Sequence, residues 1–155
     1  MDDRGQVTFR EATPDDAPAI AELLAALMVD HGLAPLSPER LAGAVRQVMQ
    51  LPAAWYLVAD SGGELVGTLQ LNQRYSTLAT APYGYVEDFC VAPSRRGEGI
   101  GRLLLAHVER WARERGWIRV DLDVSTSLTG TLRFYERCGY RDTGSILYRR
   151  QLAGE

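Results

Sequence analysis

Cysteine is scarce in this 155-residue chain, which has only Cys90 and Cys138. Two cysteines cannot build a disulfide framework. They fit a reducing compartment, with both serving as small core hydrophobes. Long apolar runs are missing too: no stretch reaches about 18 apolar residues, so no membrane span is expected. Met1-Asp2-Asp3-Arg4 has no apolar run behind it, so no secretory leader is expected, and the expected location is cytoplasmic. There is no basic excess. Seventeen Lys and Arg stand against twenty Asp and Glu, a net charge of −3, which is not the balance of a nucleic-acid-binding surface. No Cys/His cluster has metal-ligand spacing, so no metal is expected. No repeat and no linker-like stretch interrupts the chain, and residues 1–155 read as a single domain. Hydrophobic residues at 46% and charged ones at 24% give a globular composition. A chain this long can bury roughly two thirds of its unfolded surface without staples.

The elements read as a mixed α/β sheet in the order β-α-α-β-β-β-α-β-α-β. Val7 to Arg10 is a short strand. Thr13-Pro14-Asp15-Asp16 opens a helix with a capping hydroxyl, a proline at the first helical position and two carboxylates at the positive dipole end. Ile20, Leu23, Leu24 and Leu27 give that helix an apolar face, and Leu41, Val45 and Val48 do so for a second helix started by Ser37-Pro38-Glu39. Trp55 to Ala59 and Leu65 to Leu71 are strands around a Gly62-Gly63 turn, and Tyr83 to Val91 is a third. Gly99 to Arg115 is the clearest helix, ended by Gly116. Trp117 to Val124 alternates as a strand. Thr129 to Arg137 is a short helix, and Tyr140 to Leu152 reads as strand around an Asp142-Thr143-Gly144-Ser145 turn.

Val91 to Arg102, VAPSRRGEGIGR, carries the most information. A strand ends, a turn follows, and glycines sit where the long helix begins. The free backbone N–H groups at the positive end of a helix make an anion site. Glycines let a ligand approach where a Cβ would collide, and Arg95, Arg96 and Arg102 add positive charge. A dinucleotide fingerprint fails, because the sixth place from Gly97 is Arg102. A P-loop fails, because Gly101 is followed by Arg102 and Leu103. A phosphate or pyrophosphate loop of another kind remains.

Arg96-Gly97-Glu98-Gly99-Ile100-Gly101 resembles the Gln/Arg-x-x-Gly-x-Gly/Ala acetyl-CoA loop of the GCN5-related N-acetyltransferase (GNAT) superfamily. Tyr85 to Pro93 resembles the strand before that loop, and Arg133-Phe134-Tyr135-Glu136-Arg137-Cys138-Gly139-Tyr140 resembles the late helix that carries the family's tyrosine. The resemblance implies a GNAT fold, a mostly antiparallel mixed sheet flanked by helices with the fourth and fifth strands splayed. It implies an acyltransferase that moves an acetyl group from acetyl-CoA to an amine by direct attack. Val91 would offer its amide to the thioester carbonyl. Arg96, Gly97, Glu98, Gly99, Ile100, Gly101 and Arg102 would hold the cofactor. Tyr135 would be the general acid. The family's usual Asn and Ala on the late helix are replaced here by Leu128 and Thr131, and Ser127, Thr129 or Thr131 could take over the polar contact. The acceptor would be a small-molecule or protein amine, and a homodimer is within the family's habits. The competing reading is an acyl-CoA-binding sensor or regulatory domain on the same fold.

Glu87 and Asp88 complete the candidate catalytic set, as the carboxylates that receive a cationic amine. Neighbours on a strand point to opposite faces, so one should face an acceptor pocket and the other the far side or a bulge. Two histidines are less suited. His107 lies on the long helix between Leu104 and Trp111, and His31 ends the first helix, where a cation is favoured. Cys90 next to Val91 invites a nucleophile reading, but no His pairs with it in sequence and direct attack needs no acyl-enzyme.

Overall fold

A computed structural model describes residues 5–153. They fall into two compact units that divide between Leu122 and Asp123. The first contains β1 (Val7–Glu11), α1 (Ala17–Asp30), α2 (Pro38–Met49), β2 (Ala54–Ser61), β3 (Glu64–Ser76), β4 (Ala81–Val91), α3 (Ile100–Glu114) and β5 (Val120–Leu122). The second contains α4 (Thr129–Arg137).

The first unit is one sheet in the order β1-β2-β3-β4-β5. The first four strands pair antiparallel, and β5 pairs parallel with β4. Chain connectivity explains both. Ser61 faces Glu64, so β2 and β3 are joined by two residues, Gly62 and Gly63, with φ of +64° and +96°. A two-residue hairpin with both central φ positive matches strand twist, and glycine adopts it without a Cβ penalty. A parallel neighbour instead needs a long crossover, which α3 supplies. Tyr56 and Val58 of β2, with Cys90, pack in one cluster with Ile20, Leu24, Leu41 and Val45 of α1 and α2. Ala59 and Val66 pack in another with Ile100 of α3. The alternation of β2 therefore feeds two apolar layers. Trp111 meets Trp55 and Trp117 edge-on, at centroid distances of 5.0 and 5.3 Å.

The start of α1 differs from a plain capped helix. Pro14–Asp16 is a turn of 3₁₀ helix, and α1 proper begins at Ala17. The Asp16 carboxylate accepts from the Thr13 amide at 2.7 Å and from the Arg10 guanidinium at 2.8 Å. Arg10 also reaches Asp60 on β2 at 2.9 Å. One guanidinium thus joins β1, the start of α1 and β2, and it holds the Asp16 carboxyl below its usual range.

Two expectations need correction. The strand expected over Trp117–Val124 is ladder-paired only at Val120–Leu122. Before it, Ile118 donates to Pro82 O at 3.0 Å and is half exposed, while Trp117 is buried. The chain leaves α3 through Gly116, at φ +71°, and spends its first residues on packing Trp117 before joining the sheet. The strand expected over Tyr140–Leu152 does not form. Only the turn is there, with the Gly144 amide on Asp142 Oδ1 at 2.7 Å. Strand-prone residues become a strand only with a ladder partner, and the second unit contains none among its described residues; Ile146, Tyr148 and Leu152 are exposed.

Gly84 is buried on β4, where an added Cβ would lie 3.1 Å from Leu71 Cδ1 and from the Trp117 ring. Gly43 on α2 faces nothing within 4 Å. Gly84→Ala should destabilise by about 1–3 kcal/mol through overpacking, and Gly43→Ala should stabilise by roughly 0.5–1 kcal/mol through helix propensity. Urea unfolding of the two variants checks both signs.

Candidate active site

The glycine loop takes the conformation its residues demand. After the 3₁₀ turn Pro93–Arg95, Gly97 and Gly99 sit at φ +80° and +81°, and Gly99 is the residue from which α3 starts. Both lie in the left-handed region that disfavours any Cβ. A Cβ on either would meet nothing within 4 Å. The backbone there is thus open to a ligand at the positive end of a 15-residue helix. The side chains divide the labour. Ile100 is buried against Ala59 and Val66 and anchors the helix. Arg95 pairs with Glu98 at 2.9 Å and reaches the Ser61 hydroxyl. Arg96 donates to Val91 O at 3.3 Å and pairs with Asp30 at the end of α1. Arg102 stays exposed on α3. Of the candidate cofactor-binding residues, Ile100 can offer only its backbone, and Arg96 braces the loop against the end of β4.

That end of β4 is irregular. Gln70 faces Glu87 and Thr68 faces Cys90, so Leu69 alone opposes both Asp88 and Phe89. This is a β-bulge, and Asp88 carries its strain at φ +51°. Of the alternatives expected for this pair, the structure has the bulge at Asp88, while Glu87 lies beside it in register with Gln70. Burial holds the Tyr56 hydroxyl above the usual tyrosine range, and the charges of Asp88 and Glu87 add to the effect. Protein surroundings push the Asp88 carboxyl above its usual range, and His31 partly counters this. The ladder to β5 ends at Val86, while β4 runs on to Val91. β5 itself ends at Leu122, so the bulge and the Val91 amide lie on the part of β4 that has no ladder to β5.

A line of polar side chains crosses the sheet beside the bulge. The Tyr56 hydroxyl donates to Gln70 Oε1 at 3.4 Å, Gln70 Nε2 to Asn72 Oδ1 at 3.1 Å, and Asn72 Nδ2 to Glu87 Oε2 at 3.4 Å. All three donors point toward Glu87, so each bond in the line polarises the next. Sequence reasoning passed over these residues. The signal was there: Thr68 and Gln70 are polar positions two apart within the otherwise apolar stretch Leu65–Leu71 of a central strand. Asn72, Arg74 and Glu87 also line a shallow groove of about 320 Å³.

The remaining candidates sort themselves by environment. Cys90 is buried, its thiol 3.5 Å from Leu23 O and its pKa pushed up to about 12 by burial. A thiol held protonated is no nucleophile at neutral pH. His107 stacks on Phe9 at 6.0 Å, and burial lowers its pKa. His31 caps α1 in the open. Tyr135 belongs to the second unit, where Phe134 and Tyr140 flank it at 5.2 and 5.9 Å. Burial raises its hydroxyl to about 12. Among the described residues no group of three or more His, Cys, Asp or Glu is placed to hold a metal, and no helix is long and apolar enough to cross a membrane.

Comparison with known proteins fits this geometry. The sequence model of the Acetyltransferase (GNAT) family matches residues 20–140. The chain belongs to that family and is an N-acetyltransferase. It is 30% identical over 146 residues to an aminoglycoside N(6′)-acetyltransferase type 1 of Stenotrophomonas maltophilia, covering 92% of each chain. It is 27% identical to an aminoalkylphosphonate N-acetyltransferase of Salmonella typhimurium, over 87% of this chain and 85% of that one. A solved structure of a transcriptional regulator from Bacillus halodurans C-125 superposes with a TM-score of 0.82 at 27% identity, over 94% of this chain and all of that one.

The Asp88 environment has a checkable sign. A folded pKa above the unfolded 3.8 means that the fold binds this proton more tightly than the unfolded chain does. Its stability is then fully kept below the unfolded pKa and declines as pH rises through the folded value. Asn tolerates the left-handed conformation and carries no charge. Asp88→Asn should therefore be more stable than wild type at pH 7, with the difference shrinking toward pH 4, as read by urea melts across that range.

Proposed function

We propose that this chain moves an acetyl group from acetyl-CoA to a primary amine of a small molecule. The observation that carries the reading is the pair of left-handed glycines, Gly97 and Gly99, opening α3 beside a bulged strand end. GNAT acetyltransferases use acetyl-CoA as donor, and the residues present suit it. The backbone from Arg96 to Gly101 offers amides at a helix N-terminus without side chains in the way, which favours a pyrophosphate. Glu98 is paired with Arg95, so its charge is offset. The Val91 amide stands where β4 has passed the end of its β5 ladder, which suits a donor aimed at developing oxyanion charge. The two named relatives act on aminoglycosides and on aminoalkylphosphonates, both amine-bearing small molecules, which supports that acceptor class.

The acceptor nitrogen attacks the thioester carbonyl carbon, the C–S bond breaks, the nitrogen loses a proton and the departing sulfur gains one. An alkyl ammonium has a pKa of roughly 10.4, so at neutral pH about one molecule in 2,500 is the free amine. Glu87 and Asp88 draw the ammonium in and lead its proton away through bound water. The elevated pKa of Asp88 brings it nearer to the task, and the Asn72 hydrogen bond holds Glu87 in place. Tyr135 supplies the proton to sulfur. At a pKa of about 12 it stays protonated through the working range; donation to a thiolate of roughly 8.5 is uphill, so it requires the phenolate to be stabilised by hydrogen bonding as it forms.

Two experiments test the reading. Calorimetry should show acetyl-CoA binding to wild type and binding at least tenfold weaker to Gly99→Val, whose branched Cβ both strains the left-handed backbone and covers the open loop. Equal binding, or none by wild type, overturns the loop assignment. Tyr135→Phe should lower turnover by about 10²-fold with unchanged melting, and wild type should show no alkaline rate loss from Tyr135 until the pH nears its value of about 12. Unchanged turnover in the variant makes Tyr135 a packing residue.

A further inference from the structure

The groove beside Glu87 carries both signs of charge. Its walls include Leu51, Pro52, Asn72, Gln73, Arg74 and Glu87. Arg74 lies on β3 opposite Tyr83 but does not stay over that residue. Its guanidinium sits 3.5 Å from the centroid of the Tyr85 ring. A guanidinium stacked on a ring keeps its N–H donors in the plane parallel to the ring, pointing outward. Tyr85 and Glu87 are two apart on one strand, so they share a face about 7 Å apart. Glu87 is held from the other side by Asn72, which is itself opposite Tyr85. The cation and the carboxylate are thus brought toward the same row of the sheet. Yet among the described residues they form no ion pair with each other, and Arg74 has no carboxylate partner. The neighbouring Arg119, over Tyr83 at 3.9 Å, is by contrast paired with Asp121 at 3.0 Å. Arg74 is a cation in the groove wall, stacked on Tyr85, and among the described residues no hydrogen bond takes up its fork of donors.

We infer that this groove receives a primary amine that also bears an anionic group, carboxylate or phosphonate, with the ammonium at Glu87 and the anion on the guanidinium of Arg74. The inference rests on the amine-acetylating reading of the same site. A zwitterion satisfies both charges at once, and the planar fork of arginine matches two oxygens of either anion. A polycationic amine would satisfy Glu87 but set a like charge against Arg74, and an uncharged tail would leave the fork unused.

Four amines of comparable length separate these cases: 5-aminopentanoate, 3-aminopropylphosphonate, pentylamine and 1,5-diaminopentane. With acetyl-CoA and thiol release as readout, kcat/KM for at least one of the two anionic-tailed amines should exceed that for the diamine by tenfold or more. Comparison of the first two tells carboxylate from phosphonate. In Arg74→Gln the ratio of anionic-tailed amine to pentylamine should fall at least tenfold, mainly through KM. Turnover of all four at similar kcat/KM, or a ratio unmoved by the substitution, overturns the inference while leaving amine acetylation standing. If none is acetylated, calorimetry with the same four amines decides: tighter binding of an anionic-tailed amine, weakened in Arg74→Gln, upholds the charge pairing, and equal or absent binding overturns it.

Discussion

The bulge in β4 is the constraint on which the rest of the site depends. Leu69 faces two residues instead of one, and Asp88 takes up the difference by adopting a left-handed backbone. Aspartate tolerates that region better than most residues, yet the conformation costs of the order of 1–3 kcal/mol, and such strain persists only where packing over-determines it. Here the determinants are close at hand. Val86 and Cys90 on either side are buried, and the register on both sides of the bulge is anchored, Gln70 to Glu87 and Gly67 to Val91. The chain cannot relax the bulge without pulling one of these layers out of the core. Through it, two adjacent carboxylates come to act on one buried hydroxyl, and β4 regains its register with β3 at Cys90 and Val91, just before the glycine loop.

The loop is held by contacts from three directions. Ile100 roots the helix in the apolar layer under β2 and β3. Arg96 binds the last carbonyl of β4 and a carboxylate at the end of α1. Arg95 binds Glu98 within the loop and a serine at the β2–β3 hairpin. These side chains face inward or sideways, which leaves the backbone as the exposed surface. A site that recognises phosphate through main-chain amides needs that division: side chains brace and amides bind. It also explains why the loop is rich in both arginine and glycine without presenting every arginine to a ligand.

Electrostatics at the site are shaped by burial more than by net charge. The chain as a whole is weakly acidic at −3, but several of its titratable groups depart from their usual values because of where they sit. Asp88 is raised by the protein around it, Tyr56 and Tyr135 are raised by burial, and Cys90 is raised until it is inert. The one long polar line through the sheet, from Tyr56 to Glu87, supplies partners where burial would otherwise leave donors and acceptors unmet. It ends in a groove whose other wall carries an arginine. A buried polar chain that terminates at an exposed carboxylate converts the rigidity of the core into a fixed orientation at the surface.

Much of this molecule was legible in the order of its residues. Glycines at 97 and 99 before an amphipathic run announce a left-handed entry to a helix, because no other residue adopts that backbone without a Cβ penalty. The Gly62-Gly63 hairpin and the apolar spacing of Ile20, Leu24, Leu41 and Val45 are local in the same sense. The family resemblance was readable for that reason, since its motif is a local one. What tertiary structure alone decided are the features in which residues far apart share one place. The bulge exists only as a mismatch between β3 and β4, so strand alternation could allow for a bulge at Glu87 or Asp88 but not say which of them would take it. The alignment of Tyr56, Gln70, Asn72 and Glu87 needs three strands in register. Arg74 stacks on Tyr85 only because β3 meets β4 where it does. Strand propensity in Ile146 to Leu152 came to nothing for the same reason in reverse: hydrogen bonding in a sheet is made between segments, and a sequence cannot say which segment will be there to receive it.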